Sequence, residues 1–302
     1  MVPYIPQLLK FDDFPLLLKE ISQPPRELFY KGNIKALNKP CVSIVGTRKS
    51  TDYGEEMTKK IVKDLAIYDL NIVSGLAKGI DTIAHRTALE NNLSTIAVLG
   101  TGIENIYPYE NIELAQEILR SGGLILSEFA ALSQPTKYTF PQRNRIVSGL
   151  SLVTIVVEAP EESGALITAH LALDQGREVM VVPADVDRPS STGILRLLQK
   201  GGAYPIATGK EVIEQLNKST TLFAKKSLTD LERKNILKKE IPNYNLTEDE
   251  AKIFALLQKY RSKNVEAIYE QTKLPITNIL TAISFLELKG LVKNLNGQYK
   301  KA

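Results

Sequence analysis

The densest group of chemically useful side chains is Lys137-Tyr138-Thr139-Phe140-Pro141-Gln142-Arg143-Asn144-Arg145, with three cations, two aromatic rings and two amides in nine residues. Single-stranded nucleic acid is held by this combination. Cations take the backbone phosphates and aromatic faces take the bases, each stacked base being worth ~1–3 kcal/mol. A core position for Phe140 is the competing reading. The three cations beside it argue against a segment that is only structural.

Four glycine-bearing loops add chemistry suited to anions. Gly46-Thr47-Arg48-Lys49-Ser50-Thr51 joins an apolar run to a helix-compatible stretch, so close backbone approach, free N–H groups and two cations coincide. It is not a P-loop, whose earlier glycine would fall near position 43, where Ser43 stands. A glycine turn with two solvated cations is the plain alternative. In Ser74-Gly75-Leu76-Ala77-Lys78-Gly79-Ile80-Asp81, two glycines flank Lys78 as in a backbone nest beside a phosphate. Asp81 reads there as a helix cap rather than a catalytic acid, and His85 as a packed histidine. Gly100-Thr101-Gly102, with Tyr107-Pro108 beyond, lacks the third glycine of a dinucleotide fingerprint. Glu162-Ser163-Gly164-Ala165-Leu166-Ile167-Thr168-Ala169 follows Glu158-Ala159-Pro160. Ser163 and Thr168 could contact phosphate there, or cap and back-bond.

These loops need a scaffold, and the apolar pattern supplies one. Consecutive apolar runs at 42–45, 71–73, 95–99, 124–126, 152–157 and 179–182 fit strands buried on both faces. Helix-compatible stretches at 54–68, 80–92, 110–121, 142–149 and 165–175 alternate with them. The pattern predicts an α/β fold with a parallel, doubly wound sheet, whose strand C-termini and following loops share one edge. Residues 218–244 lack strand runs, carry seven basic against three acidic residues, and read as a basic linker with some helical tendency. From residue 245, three short helices and a terminal hairpin follow. Thr247 and Thr277 are expected caps, Gly290 a stop, and Asn296-Gly297 the turn. That is the pattern of a small winged-helix domain at 245–302, with 277–289 in the recognition position; such domains bind DNA or proteins.

Composition excludes much else. A single cysteine, Cys41, rules out an internal disulfide framework and any multi-thiolate metal site, and only His85 and His170 are available for imidazole chemistry. No window resembles a membrane span, and the N-terminus lacks a secretory pattern, so a cytoplasmic protein free of metals and cofactors is expected. The formal charge of +4 is unevenly spread. Residues 218–302 hold 16 basic and 9 acidic side chains, whereas residues 1–217 hold 22 and 25. A basic tail on a near-neutral body suggests a nucleic-acid or acidic partner, with a merely solvated tail as the alternative.

Together the loops resemble the DNA-processing protein A (DprA/Smf) family. The resemblance rests on Val45-Gly46-Thr47-Arg48, on Ser74 to Asp81, on Tyr107-Pro108, on Phe140-Pro141-Gln142-Arg143-Asn144-Arg145-Ile146-Val147-Ser148-Gly149-Leu150-Ser151, and on Glu162 to Ala169 with Gly176-Arg177. Pro24-Pro25 and Leu28-Phe29-Tyr30-Lys31-Gly32 match the lead-in within residues 1–40. The resemblance implies an extended Rossmann-like domain over 1–217 that dimerises and binds single-stranded DNA. It also implies a partner, the RecA recombinase, whose loading the family assists in natural transformation, and no catalytic activity. Carried over by position, Arg48, Lys137 and Phe140 would contact DNA. Gly46, Ser74, Gly75 and Lys78 would line the same pocket, with Thr47, Arg143, Asn144, Ser163, Gly164 and Thr168 completing the candidate set. The chain departs from the family at Pro183-Ala184, where Pro-Gly is usual, and at Gly193-Ile194, where Asn commonly follows. The segment before Val42 is also too short for the N-terminal helical domain that many members carry.

Two other classes compete. One is a nucleotide hydrolase of the phosphoribohydrolase type, for which Glu128 and Glu158 are the available strand-end acids, although no PGGxGTxxE motif is present. The other is a winged-helix regulator whose Rossmann-like part senses a ligand and which would prefer duplex DNA.

Overall fold

The computed structural model describes residues 5–223, 246–259, 263–295 and 297–301. The chain divides into two compact units, Met1–Lys239 and Glu240–Ala302.

In the first unit the strands are β1 (Gln7–Lys10), β2 (Glu27–Gly32), β3 (Cys41–Val45), β4 (Asn71–Ser74), β5 (Thr95–Leu99), β6 (Leu124–Ser127), β7 (Val153–Val156), β8 (Glu178–Val181) and β9 (Tyr204–Pro205). Its helices are α1 (Leu16–Lys19), α2 (Asp52–Leu65), α3 (Ile80–Glu90), α4 (Ile112–Arg120), α5 (Thr139–Gly149), α6 (Gly164–Asp174), α7 (Thr192–Gln199) and α8 (Gly209–Phe223). The strands form one sheet in the order β1-β2-β6-β5-β4-β3-β7-β8-β9. From β6 to β9 every pairing is parallel. Only β1 and β2 pair antiparallel, with β2 against β6.

The consecutive apolar runs are explained by burial on both faces. Val42, Ile44, Val153 and Ile155 pack with residues of α2, α3 and α8, while Val45, Val156, Val179 and Val181 pack with residues of α5, α6 and α7. Sheet order runs outward in opposite directions from β3 and β7, which are neighbours. Their C-terminal ends therefore form the topological crossing point, where open α/β sheets have their ligand crevice.

Several features extend the sequence pattern. The lead-in supplies β1 and β2, whose partial burial gives no continuous apolar run: in β2 only Leu28 is fully buried. The helix expected from residue 142 begins at Thr139, so Phe140, Arg143 and Asn144 project from one helical turn and its continuation. Helix α8 runs to Phe223, into the segment read as a linker with some helical tendency, and the rest of that segment lies outside the described residues.

The second unit has α9 (Glu248–Lys259), α10 (Val265–Thr272), α11 (Ile276–Leu288) and the antiparallel pair β10 (Val292–Leu295) and β11 (Gln298–Lys301). It is a winged helix. A capping box opens α9: Glu250 N–H donates to Thr247 Oγ1 at 3.3 Å, and Thr247 N–H donates to the Glu250 carboxylate at 2.9 Å. Pro275, rather than Thr277, precedes α11, and Gly290 adopts φ +67° beyond its end. Ile253, Leu257, Ile268, Ile279, Ile283 and Leu286 form the core. The expected Asn296-Gly297 turn includes Asn296, which lies outside the described residues.

His85 shows what burial without a charged partner does to a titratable group in the first unit. It is fully buried on α3, with Nδ1 2.7 Å from Thr95 Oγ1 on β5. Burial, reinforced by the nearby Arg143 cation, pulls the imidazole down to about 3. The unfolded chain therefore binds a proton that the native state refuses. The resulting stability is complete above the unfolded value of 6.5 and is lost as pH falls towards 3, by about 1.4 kcal/mol per pH unit. Thermal melts at pH 7 and pH 5 are expected to show a smaller loss for His85→Gln than for the wild type; an equal loss would contradict this assignment.

Candidate nucleic-acid interface

A groove of about 1140 Å³ opens at the β3/β7 crossing point. Its two founding loops are tied directly, because Thr47 N–H donates to Glu158 O at 2.7 Å. Gly46 permits this approach: a Cβ there would lie 2.5 Å from Ile80 and 3.0 Å from Glu158 O. Gly79 is likewise required, with φ +75° and Thr47 O lying 2.3 Å from where a Cβ would stand. Glu158, almost wholly buried, fixes the next turn. Its carboxylate accepts from Thr51 N–H at 2.9 Å, Thr51 Oγ1 at 2.6 Å and Ser190 Oγ at 3.0 Å.

Exposed Arg48 and Lys49 enter the groove from the β3 loop, and exposed Lys137 enters it from the approach to α5. Phe140 sits among them, half-buried. Its ring lies 5.2 Å from the Arg48 guanidinium and 5.9 Å from the Tyr107 ring. Gly100 makes room for it, since a Cβ there would lie 2.6 Å from the ring. The Gly100-Thr101-Gly102 turn thus supports an aromatic side chain. Asn144, Ser163, Gly164 and Thr168 line the far part of the groove, where Ser163 also caps α6 through Ala165 N–H at 3.2 Å.

Three candidate residues have other duties. Arg143 faces the groove floor but is only 4% exposed. Its Nη1 donates to Gly75 O at 2.6 Å and to Val98 O, and its Nε donates to Asn144 Oδ1 at 3.1 Å. Burial pushes this guanidinium down to about 10, against the opposing pull of Asp81. Arg143 therefore shapes the groove rather than offering a free cation. Ser74 is fully buried, donates to Ile44 O at 2.6 Å, and does not line the groove. Lys78 pairs with Glu110 and, with Tyr107 and Pro108, borders an adjoining recess of about 60 Å³ that shares Arg48, Gly75, Ala77 and Phe140 with the groove.

Asp81 is also not the expected cap. It lies within the first turn of α3, where its buried carboxylate accepts from Gly75 N–H at 3.0 Å and Ala77 N–H at 3.3 Å. Burial raises its pKa, while Arg143 and these N–H groups oppose the rise. Gly75 has no Cβ because the Arg143 guanidinium occupies that space, 2.4 Å from where it would stand. The candidate set also omitted groove residues. Lys49 was signalled by its place beside Arg48, whereas Pro189 and Thr192 arrive from a distant loop with no local signal.

A family model described as DNA recombination-mediator protein A matches residues 7–217. The chain belongs to that family. It is 35% identical to Protein Smf of Escherichia coli K12 over 298 residues, covering 98% of this chain and 74% of the relative. It is 43% identical to DNA processing protein DprA of Streptococcus pneumoniae over 204 residues, covering 68% of this chain and 71% of the relative. Its fold matches the X-ray structure of the S. pneumoniae DprA with a TM-score of 0.66 at 39% identity, over 74% of this chain and 75% of that one. It also matches a structure describing the single-stranded DNA binding mode of DprA from Helicobacter pylori, with a TM-score of 0.65 at 34% identity, over 72% and 97% of the two chains. Residues 241–301 match a model described as sugar-specific transcriptional regulator TrmB. No helix among the described residues is long and apolar enough to cross a membrane, and no described group of three His, Cys, Asp or Glu could hold a metal ion.

The two kinds of groove residue separate in a stability measurement. Arg143→Met leaves Asp81 buried without its cationic neighbour and frees two carbonyls, and is expected to cost about 3–5 kcal/mol in urea denaturation. Exposed Arg48→Ala is expected to stay within about 0.5 kcal/mol of the wild type. Equal effects from the two would remove the distinction between floor and contact.

Proposed function

We propose that this DprA-family chain binds single-stranded DNA in the groove at the β3/β7 crossing point. In this reading it acts as a recombination mediator that protects the strand and assists RecA loading, as a homodimer formed through the Rossmann-like unit. The observation that carries the reading is that Arg48, Lys49, Lys137 and Phe140 line one groove, with the Arg48 guanidinium against the Phe140 ring. Cations without a ring would suit any polyanion, and a ring without cations would be core. Together they match phosphate and base in the same ligand. The single-stranded DNA binding described for the H. pylori relative supports it.

The alternatives receive less support from the geometry. Glu158 is engaged by Thr51 and Ser190, and Glu128 by Arg145 and Gln142, so both acids considered for hydrolysis hold other segments in place. Helix α11, in the recognition position, contains no Lys or Arg between Ile276 and Leu288, which disfavours a duplex reader held by phosphate contacts from that helix.

Arg48→Ala and Lys137→Ala are each expected to weaken oligo-dT binding. Each should also flatten the slope of log affinity against log salt by about 0.7, the share of one phosphate contact on a single strand. Wild-type binding that is unchanged in both variants, with the fold intact, would remove the groove as the site. Size-exclusion with mass measurement, with and without the oligomer, is expected to show a dimer; a monomer at all concentrations would overturn that part.

A further inference from the structure

The groove proposed for single-stranded DNA is not uniformly cationic. Two carboxylates, Glu161 and Glu162, line it on the approach to α6. Glu161 is paired with the Arg196 guanidinium. Glu162 is exposed, and its carboxylate makes no hydrogen bond or ion pair with the described residues. It stands directly before Ser163, the cap of α6, where the positive end of the helix dipole favours a negative charge. In a groove that only captured phosphate, such a group would oppose binding.

The chemistry of DNA limits what can satisfy it. An ionised carboxylate only accepts hydrogen bonds. Within a DNA strand, phosphates and deoxyribose offer no donor, so the donors lie on the bases. Adenine and cytosine present one amino group, and thymine a single imino N–H. Guanine presents N1–H and the N2 amino group side by side, matched to the two carboxylate oxygens. Its Watson–Crick edge is free in a single strand, where recognition of unpaired base edges takes place. Of the other groove side chains able to read a base donor, Asp81 accepts from Gly75 and Ala77 N–H, Glu161 pairs with Arg196, and the Asn144 amide is taken by Arg143 Nε and Gly164 O, so among the described residues Glu162 is the groove carboxylate left to accept from a base.

We propose that Glu162 is a specificity-determining residue of this groove, accepting from the N1–H and N2 amino group of a guanine and biasing the strand it holds towards guanine. This inference rests on the single-stranded DNA reading above. Fluorescence anisotropy with alternating d(TG) and d(TI) oligomers of equal length tests it, because inosine lacks only the 2-amino group. The wild type is expected to bind d(TG) about three- to tenfold more tightly than d(TI), the range of a carboxylate–base contact that is partly solvated. Glu162→Ala is expected to bring that ratio close to one and to strengthen d(TI) binding, since a like charge has left the phosphate path. Glu162→Gln, which keeps one acceptor, is expected to retain part of the ratio. Equal binding of the two strands by the wild type, or a ratio that survives in Glu162→Ala, overturns the role of Glu162 while leaving the groove as the DNA site. Failure of every strand to bind overturns the single-stranded DNA reading itself.

Discussion

The buried Arg143 guanidinium is the contact on which the proposed binding surface depends. From α5 it reaches Gly75 at the end of β4 and Val98 in β5, and it lies beside Asp81, whose carboxylate holds the N–H groups of Gly75 and Ala77. One cation thus satisfies carbonyls from two strand ends and anchors the helix that carries Phe140. Burying a charge is unfavourable unless it is paired and hydrogen-bonded, and here the partners are the loops that must be held still. Gly75 and Gly79 are the steric counterpart. The guanidinium and the Thr47 carbonyl occupy the places where their side chains would lie.

With the floor fixed, the walls can be chemically mixed. Arg48, Lys49 and Lys137 project from segments whose backbone is held elsewhere, and Phe140 is set by Gly100 and Tyr107. This separates cations that hold the structure, such as Arg143 and Arg145, from cations that remain available at the surface. The separation also explains why net charge is a poor guide. The groove belongs to the part of the chain with more acids than bases, while α11 in the basic C-terminal part carries no cation at all. Three placed charges in one groove with an aromatic ring define a ligand better than a surplus of seven spread along a tail.

Much of this was legible in the residues. Strands β3 to β8 announced themselves because both faces are buried, which forces consecutive apolar residues. The edge strands β1 and β9, and β2 beside β1, did not, because partial exposure leaves them mixed. The segment from Lys137 to Arg145 advertised its chemistry, yet residue type does not say whether an arginine faces solvent or a carbonyl. Arg143 and Arg48 look alike in the sequence and differ wholly in burial. Ser74 was misleading for a related reason: a hydroxyl in a glycine loop suits phosphate equally well when it is turned inward to Ile44 O. Pro189 and Thr192 reach the groove only through the sheet order, which no local pattern encodes.

The central claim is that a single strand lies in the groove between β3 and β7, against Phe140. Photo-crosslinking with a strand carrying 5-iododeoxyuridine, followed by peptide mapping, tests it most directly, because the label reacts with aromatic side chains it touches. The account predicts adducts on the peptides containing Phe140, Tyr138 or Tyr107. Adducts confined to the Glu240–Ala302 unit would contradict it.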